Sequence, residues 1–337
     1  MKAIILKGPG DAVVANVPKP SHDDEKILLR IRRVGLCGSD LNSFRGKNPL
    51  VKYPITPGHE VAATIVEGSR MNPALASGVD VTLSPYANCG RCASCLRKRP
   101  NACAGNETLG VHRDGALTEY IYMPAEKLYP AKLSLKELCI VEPLTVGFHA
   151  VARGRVIASD SAAIFGCGGV GLGAIAAAHF AGAVTIAADL DDEKLALAKK
   201  AGASHVINTA KTPLHERLLE LTAGRGPDVV IEAVGNPTTF RAAVEEVAFT
   251  GRVVYIGYAK EPVEYETRLF VQKELDILGS RNALPEDFRR VIEMLEAKKF
   301  PVEDAVSMTI PLEETPQTLE AWSENPAKFS KIMVQVD

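Results

Sequence analysis

No run of apolar residues in this chain approaches the length of a membrane-spanning helix, and outside residues 91-99 no basic field gathers along it. The formal charge is only -2 over 337 residues, so electrostatics supplies no case for a nucleic-acid or anionic-membrane partner. A cleavable leader is not indicated either. The opening Met1-Lys2-Ala3-Ile4-Ile5-Leu6 runs at once into the turn Lys7-Gly8-Pro9-Gly10 and reads as a strand. Internal repeats and low-complexity tracts are lacking. Outside one cluster, the only cysteines are Cys37, Cys139 and Cys167, far apart in sequence, and an odd total of seven does not describe a disulfide framework. Cytoplasmic residence is the default expectation. What is present is a composition 46% hydrophobic, enough at this length for a large core and two domains.

The cluster is Cys89, Cys92, Cys95 and Cys103, spaced C-x2-C-x2-C-x7-C. Four soft thiolates on so short a chain suit tetrahedral S4 ligation of zinc in a closed structural site, with Gly90 easing the tight turns. Iron–sulfur clusters use related spacings, but the bacterial ferredoxin run ends in Cys-Pro. Here Ala104 follows Cys103, and there is no second cysteine set. Arg91, Arg97, Lys98 and Arg99 admit a zinc ribbon touching nucleic acid. A bare four-cysteine lobe inserted in an enzyme is the better account, because the rest of the chain is not basic.

Up to about residue 145 the texture is Gly-, Pro- and Val-rich, with short strands at 2-6, 27-34, 60-67 and 79-84. From about 160 it alternates strand, glycine loop, alanine-rich helix and strand, the pattern of βαβ units on a parallel sheet. A closing strand around 331-336 needs a sheet to join and is assigned back to the first domain. The expected organisation is therefore α/β: residues 1-145 with 281-337, carrying a lobe at 86-106, and a doubly wound nucleotide domain at 146-280.

Gly166-Cys167-Gly168-Gly169-Val170-Gly171 fits G-x-G-x-x-G between a buried strand and a helix. Gly166 permits the turn, Gly168 lets backbone approach a pyrophosphate, and Gly171 lets helix and strand pack closely. Free N–H groups and the helix dipole face the anion. Asp189 ends the next strand, where a carboxylate accepts the ribose hydroxyls of NAD and repels the 2'-phosphate of NADP. Cys167 reads as a small packed residue.

A second coordinating set is Cys37 in Gly35-Leu36-Cys37-Gly38-Ser39-Asp40, His59 and Glu60 in Gly58-His59-Glu60, and Glu142 in Val141-Glu142-Pro143-Leu144. A thiolate, an imidazole and one carboxylate, Glu60 or Glu142, make three protein ligands with a position left open, the pattern of a catalytic zinc. Asp40 is a candidate acceptor for the second ring N–H of His59.

Together GLCGSD at 35-40, GHE at 58-60, the four-cysteine lobe, EPLTVGFHA at 142-150 and GCGGVGLG at 166-173 give the chain its resemblance. Over essentially its whole length it resembles a zinc-dependent medium-chain dehydrogenase/reductase, most nearly the polyol and sugar-acid branch that includes sorbitol and threonine dehydrogenases. The resemblance implies a GroES-like β-rich catalytic domain beside a Rossmann domain. It also implies one catalytic and one structural zinc per chain, with NAD as hydride acceptor. Zinc acts there as the Lewis acid on the substrate hydroxyl, and the proton leaves through Ser39.

One departure is Asn42, which stands where family members often have the histidine that ends this relay. Asn42 and Arg281 are expected substrate contacts, Arg281 facing the cleft beside a carboxylate or phosphate. The implied reaction is oxidation of a secondary alcohol on a polyol or sugar acid. L-threonine oxidation and a non-enzymatic NAD sensor on the same scaffold are the alternatives. A homodimer or homotetramer is expected, built on the free edge of the strand around 275-279.

Overall fold

A computed structural model describes residues 1-69, 72-326 and 329-336. The chain forms two compact units, Met1–Glu142 with Val302–Asp337, and Pro143–Pro301.

The first unit is built on a seven-stranded sheet. Its path runs Met308–Pro311, Ile332–Gln335, Ile27–Leu36, Glu60–Glu67, Asp80–Leu83 and Leu128–Pro130, with Tyr120–Met123 paired to the other half of Ile27–Leu36. The strand Ile27–Leu36 explains how the sheet delivers chemistry. Ile27, Leu29 and Ile31 alternate inward as a half-buried strand should. An irregularity between Ile31 and Arg33 then shifts the register, and Val34, Gly35 and Leu36 are all buried. The chain therefore enters Cys37 from inside the core. Its partner strand begins at Glu60, paired with Gly35. Ile332–Gln335 runs antiparallel on the other side, with Ile332 opposite Leu36. The C-terminal strand thus joins the first unit's sheet, which seals an edge that would otherwise be open.

The second unit carries a six-stranded sheet whose neighbours all pair in parallel. The order is His205–Asn208, Val184–Asp189, Ser161–Phe165, Val229–Glu232, Arg252–Tyr255, Asp276–Gly279. This is the doubly wound arrangement, in which sequence order reverses between the first and fourth strands and a crevice opens at their carboxyl ends. Strands covered on both faces read as continuous apolar runs, and Ala162–Phe165 and Val229–Ile231 are accordingly buried throughout. Glycines allow the helices to approach closely. A Cβ on Gly147, in the helix Val141–Arg153, would stand 2.1 Å from the Ala174 nitrogen of the helix Gly169–Phe180.

The sequence reading assigned everything after 280 to the first unit, and this needs correction. The chain returns only at Val302. The helix Pro285–Glu296 buries Phe288, Val291, Met294 and Leu295, and its Asp287 bonds His149 Nδ1 at 2.9 Å. Both bonded side chains are buried, so this bond ties the helix to Val141–Arg153 within the second unit. Among the described residues no helix is long and apolar enough to cross a membrane.

Candidate active site and metal centres

The register shift places Cys37 at the start of the short helix Gly38–Phe44. Asp40, on that helix, accepts the Cys37 N–H at 2.9 Å through Oδ2 and the Gly58 N–H at 3.1 Å through Oδ1. One buried carboxylate thereby pins both loops that carry the coordinating residues. His59 and Glu60 follow Gly58 directly, and the donor atoms of Cys37, His59 and Glu60 all lie within 4.8 Å of one another. Asp40 Oδ1 sits 3.8 Å from His59 Nδ1, too far for the hydrogen bond expected from sequence but close enough for its charge to act.

Glu60 has a partner that sequence reasoning missed. Lys331 Nζ lies 2.7 Å from each of its carboxylate oxygens and 3.3 Å from the Leu36 carbonyl. The close approach depends on Gly35, where a Cβ would fall 2.1 Å from Glu60 Oε2. Lys331 carries no motif. Its only signal was a lone charge opening the otherwise apolar closing strand.

Glu142 lies outside the group within 4.8 Å, at the first turn of the helix Val141–Arg153. It is buried and accepts a hydrogen bond from the hydroxyl of Tyr86, itself buried. Tyr86 was also missed, for it belongs to no motif and only its place three residues before Cys89 marks it.

The electrostatics of the pocket follow from this crowding. Burial works against a charged His59, yet the charges of Asp40, Cys37 and Glu142 outweigh it and hold the imidazole well above its usual pKa. Burial raises Asp40 and Glu142, partly offset by His59. Burial opposes the charge on Lys331 as well, but Glu60 and Cys37 prevail and raise its pKa. A thiolate, an imidazole and a carboxylate whose donor atoms lie within 4.8 Å of one another are the donor set of a catalytic zinc. The donors therefore fit zinc.

Ser39 Oγ is buried with no protein partner within hydrogen-bonding distance. Asn42 is exposed, and its carbonyl accepts from the Lys47 N–H at 2.8 Å.

In the lobe, Cys92 Sγ stands 3.5 Å from Cys95 Sγ and 3.8 Å from Cys103 Sγ, and Cys103 Sγ is 3.5 Å from Cys89 Sγ. Tetrahedral ligation at a Zn–S distance of about 2.3 Å requires sulfur separations of about 3.8 Å, so the four thiols are arranged as a closed zinc site needs. The Ser94 hydroxyl and neighbouring backbone N–H groups hold the Cys92 thiol down at about 5.

In the second unit, Gly166 has φ +93°, and its N–H bonds Ala188 O at 2.8 Å. A Cβ on Gly171 would lie 1.8 Å from the Gly166 carbonyl oxygen, while one on Gly168 or Gly169 would meet nothing within 4 Å. Val170 lies with Gly169 in the first turn of the helix Gly169–Phe180. Asp189 ends its strand and accepts three backbone N–H groups, from Cys167 at 2.7 Å, Leu190 at 2.8 Å and Asp191 at 3.1 Å. Its carboxylate is thus fixed against the glycine loop. Burial pushes the Cys167 thiol up to about 12, which suits packing and not nucleophilic chemistry. Arg281 is exposed, just after Asp276–Gly279.

Family comparisons agree with this geometry. Residues 23–133 match the alcohol dehydrogenase GroES-like domain, and residues 169–297 match the zinc-binding dehydrogenase family. The chain belongs to the zinc-dependent medium-chain dehydrogenase/reductase family. It is 35% identical to an uncharacterised zinc-type alcohol dehydrogenase-like protein of Haemophilus influenzae, over 98% of each chain. It is 32% identical to the sorbitol dehydrogenase of Bacillus subtilis, over 99% of this chain and 97% of that one. Among solved structures, an Escherichia coli alcohol dehydrogenase complexed with NADH superposes with a TM-score of 0.91 at 27% identity, covering 100% of this chain and 99% of the other. The second match runs on to residue 297, in keeping with the place of Pro285–Glu296 in the second unit.

Proposed function

We propose that this dehydrogenase oxidises a secondary alcohol of a polyol or sugar acid to a ketone, passing the hydride to NAD. The observation that carries the reading is the convergence of Cys37, His59 and Glu60 donor atoms within 4.8 Å of one another. Bound there, zinc would supply Lewis acidity that lets the alcohol proton leave near neutral pH. Cys37 and His59 would hold that ion with Glu60 or Glu142, and Cys89, Cys92, Cys95 and Cys103 would hold a second one that serves folding.

The protein's own part is to orient and to move a proton. Ser39, whose hydroxyl has no protein partner, takes the alcohol proton, and with Asn42 in the relay position that proton passes on to water or to a pocket carboxylate. Gly166, Gly168, Gly169, Val170 and Gly171 hold the pyrophosphate at the helix N-terminus, and Asp189 takes the adenosine ribose and selects NAD over NADP. Asn42 and Arg281 contact the substrate's further hydroxyl or carboxylate groups. Similarity to a sorbitol dehydrogenase supports the polyol class. The exposed edge strand Asp276–Gly279, with Ile277 outward, is where two copies would pair into a homodimer or a homotetramer. Seven free cysteines suit a reducing cytoplasm.

The test is a panel of polyols and aldonates varied in chain length, stereochemistry and terminal carboxylate, assayed for NADH formation by the zinc-loaded protein. Turnover on members bearing a secondary hydroxyl, with two zinc ions per chain, is the expected result. No turnover on any member by protein of full zinc content would overturn the reading.

A further inference from the structure

One buried carboxylate of the second unit has no task in the mechanism above. Glu232 ends the strand Val229–Glu232, is fully buried, and lies outside every motif read from the sequence. Its strand pairs with Ser161–Phe165, and these are the two strands between which the sheet order reverses. The segment after Glu232 is therefore one wall of the crevice whose other wall is the glycine loop after Phe165. The two walls touch. The Ala233 N–H bonds the Phe165 carbonyl at 2.9 Å, and a Cβ on Gly166 would stand 2.7 Å from Val234 Cγ2. Val234 is nonetheless 51% exposed, an apolar side chain beside the loop that takes the pyrophosphate.

What holds that wall is Glu232. Its Oε1 accepts the Val234 N–H at 2.9 Å and the Gly235 N–H at 2.8 Å, and the Thr239 hydroxyl, in the first turn of the helix Pro237–Glu246, lies 2.7 Å from it. Its own carbonyl accepts the Ile256 N–H at 2.9 Å, so the end of the next strand is tied to the same residue. Gly257 lets the two segments close on each other, for a Cβ there would stand 2.4 Å from the Gly235 nitrogen and 2.6 Å from Glu232 Oε2. That second oxygen is buried without a protein partner. An idle buried oxygen is a cost that closing a turn does not by itself explain. We propose that Glu232 is a positioning residue for the dinucleotide. By holding the Val234 and Gly235 N–H groups it fixes the Val234 side chain as an apolar wall against the cofactor. The inference rests on the proposed seat of the cofactor at residues 166-171, and the test separates the two.

NADH binding to the zinc-loaded protein, read by the cofactor's fluorescence with no alcohol present, is compared across variants. Glu232→Ala removes the acceptor, and Glu232→Asp draws it back by one methylene with less disturbance to the fold. Glu232→Gln keeps an oxygen at the Oε1 place. Val234→Ala trims only the exposed side chain, and Gly168→Val crowds the pyrophosphate seat where the protein itself leaves open space. Glu232→Ala and Glu232→Asp are expected to weaken NADH about tenfold, the loss of a preorganised wall, and Glu232→Gln to bind within about twofold of the parent. Val234→Ala should weaken it about fivefold, and adding it to Glu232→Ala should weaken binding no further. Parent-like binding by Val234→Ala, or by whichever of the Glu232→Ala and Glu232→Asp proteins folds, would overturn the proposal. A double variant whose loss is the product of the two single losses would show separate routes and overturn it as well. If Gly168→Val itself binds NADH as the parent does, the seat at 166-171 fails, independently of Glu232.

Discussion

Lys331 and Glu60 form a largely buried ion pair in which one ammonium group meets both oxygens of one carboxylate at 2.7 Å, at the starts of the two strands that flank Ile27–Leu36. Their sequence separation is 271 residues, so the chain's last strand completes the electrostatics of its first coordinating motif. Breaking a buried pair by removing one partner strands the other charge, which typically costs about 3–5 kcal/mol. Lys331→Met should destabilise the protein by that order, while Lys331→Arg should cost much less. Urea unfolding at neutral pH measures both, and a loss below about 1 kcal/mol for Lys331→Met would deny the pair its role.

Gly35 makes the same point sterically. A methyl group added there would meet Glu60 Oε2 at 2.1 Å and Glu60 Cβ at 3.1 Å, and the carboxylate is not free to swing while Lys331 holds it. Gly35→Ala should therefore cost about 1–3 kcal/mol, in the range of core overpacking. Combined with Lys331→Met, its cost should shrink, because the released Glu60 side chain can move away. Unfolding of the two singles and the double gives the coupling, and strict additivity would refute the shared mechanism.

The two cysteine sites should fail differently. Cys37→Ser is expected to lose one zinc per chain and essentially all turnover, with its circular dichroism and melting temperature close to the parent. Cys92→Ser should lose the other zinc and lower the melting temperature first, because a closed thiolate site contributes folding energy. Metal analysis beside thermal unfolding checks both. Normal unfolding of Cys92→Ser with the lobe metal gone would refute the division of labour.

Asp189 accepts three backbone N–H groups, and the proposed function gives its carboxylate the adenosine ribose. Asp189→Ser should raise KM for NAD about tenfold and narrow or reverse the preference over NADP, since the charge that repels a 2'-phosphate is gone. Steady-state kinetics with both cofactors decide it. An unchanged ratio of kcat/KM values would remove Asp189 from cofactor selection.

Local sequence carried most of the second unit, because parallel strands buried on both faces leave unbroken apolar runs and glycine loops mark their ends. Strands such as Val229–Glu232 and Arg252–Tyr255 lie in the alternating stretch that the pattern marks from about residue 160. The helix Pro285–Glu296 lies in the stretch after residue 280 that sequence alone assigns to the first unit. Its amphipathic face says that it is buried, not against what, and the deciding contact, Asp287 with His149, spans 138 residues. The same limit applies to the site. Cys37, His59 and Glu60 announce themselves through ligand chemistry and spacing. Lys331 and Tyr86 reach Glu60 and Glu142 across 271 and 56 residues of sequence, and no local pattern encodes a partner that distant.

The central claim is an ion held by Cys37 and His59. Crystals of the zinc-loaded protein, measured across the zinc absorption edge, locate such ions directly through anomalous scattering. The account predicts two peaks per chain, one amid the four lobe cysteines and one about 2.3 Å from Cys37 Sγ and about 2.0–2.1 Å from a ring nitrogen of His59. A single peak in the lobe, from protein that still oxidises its alcohol at full rate, would contradict it.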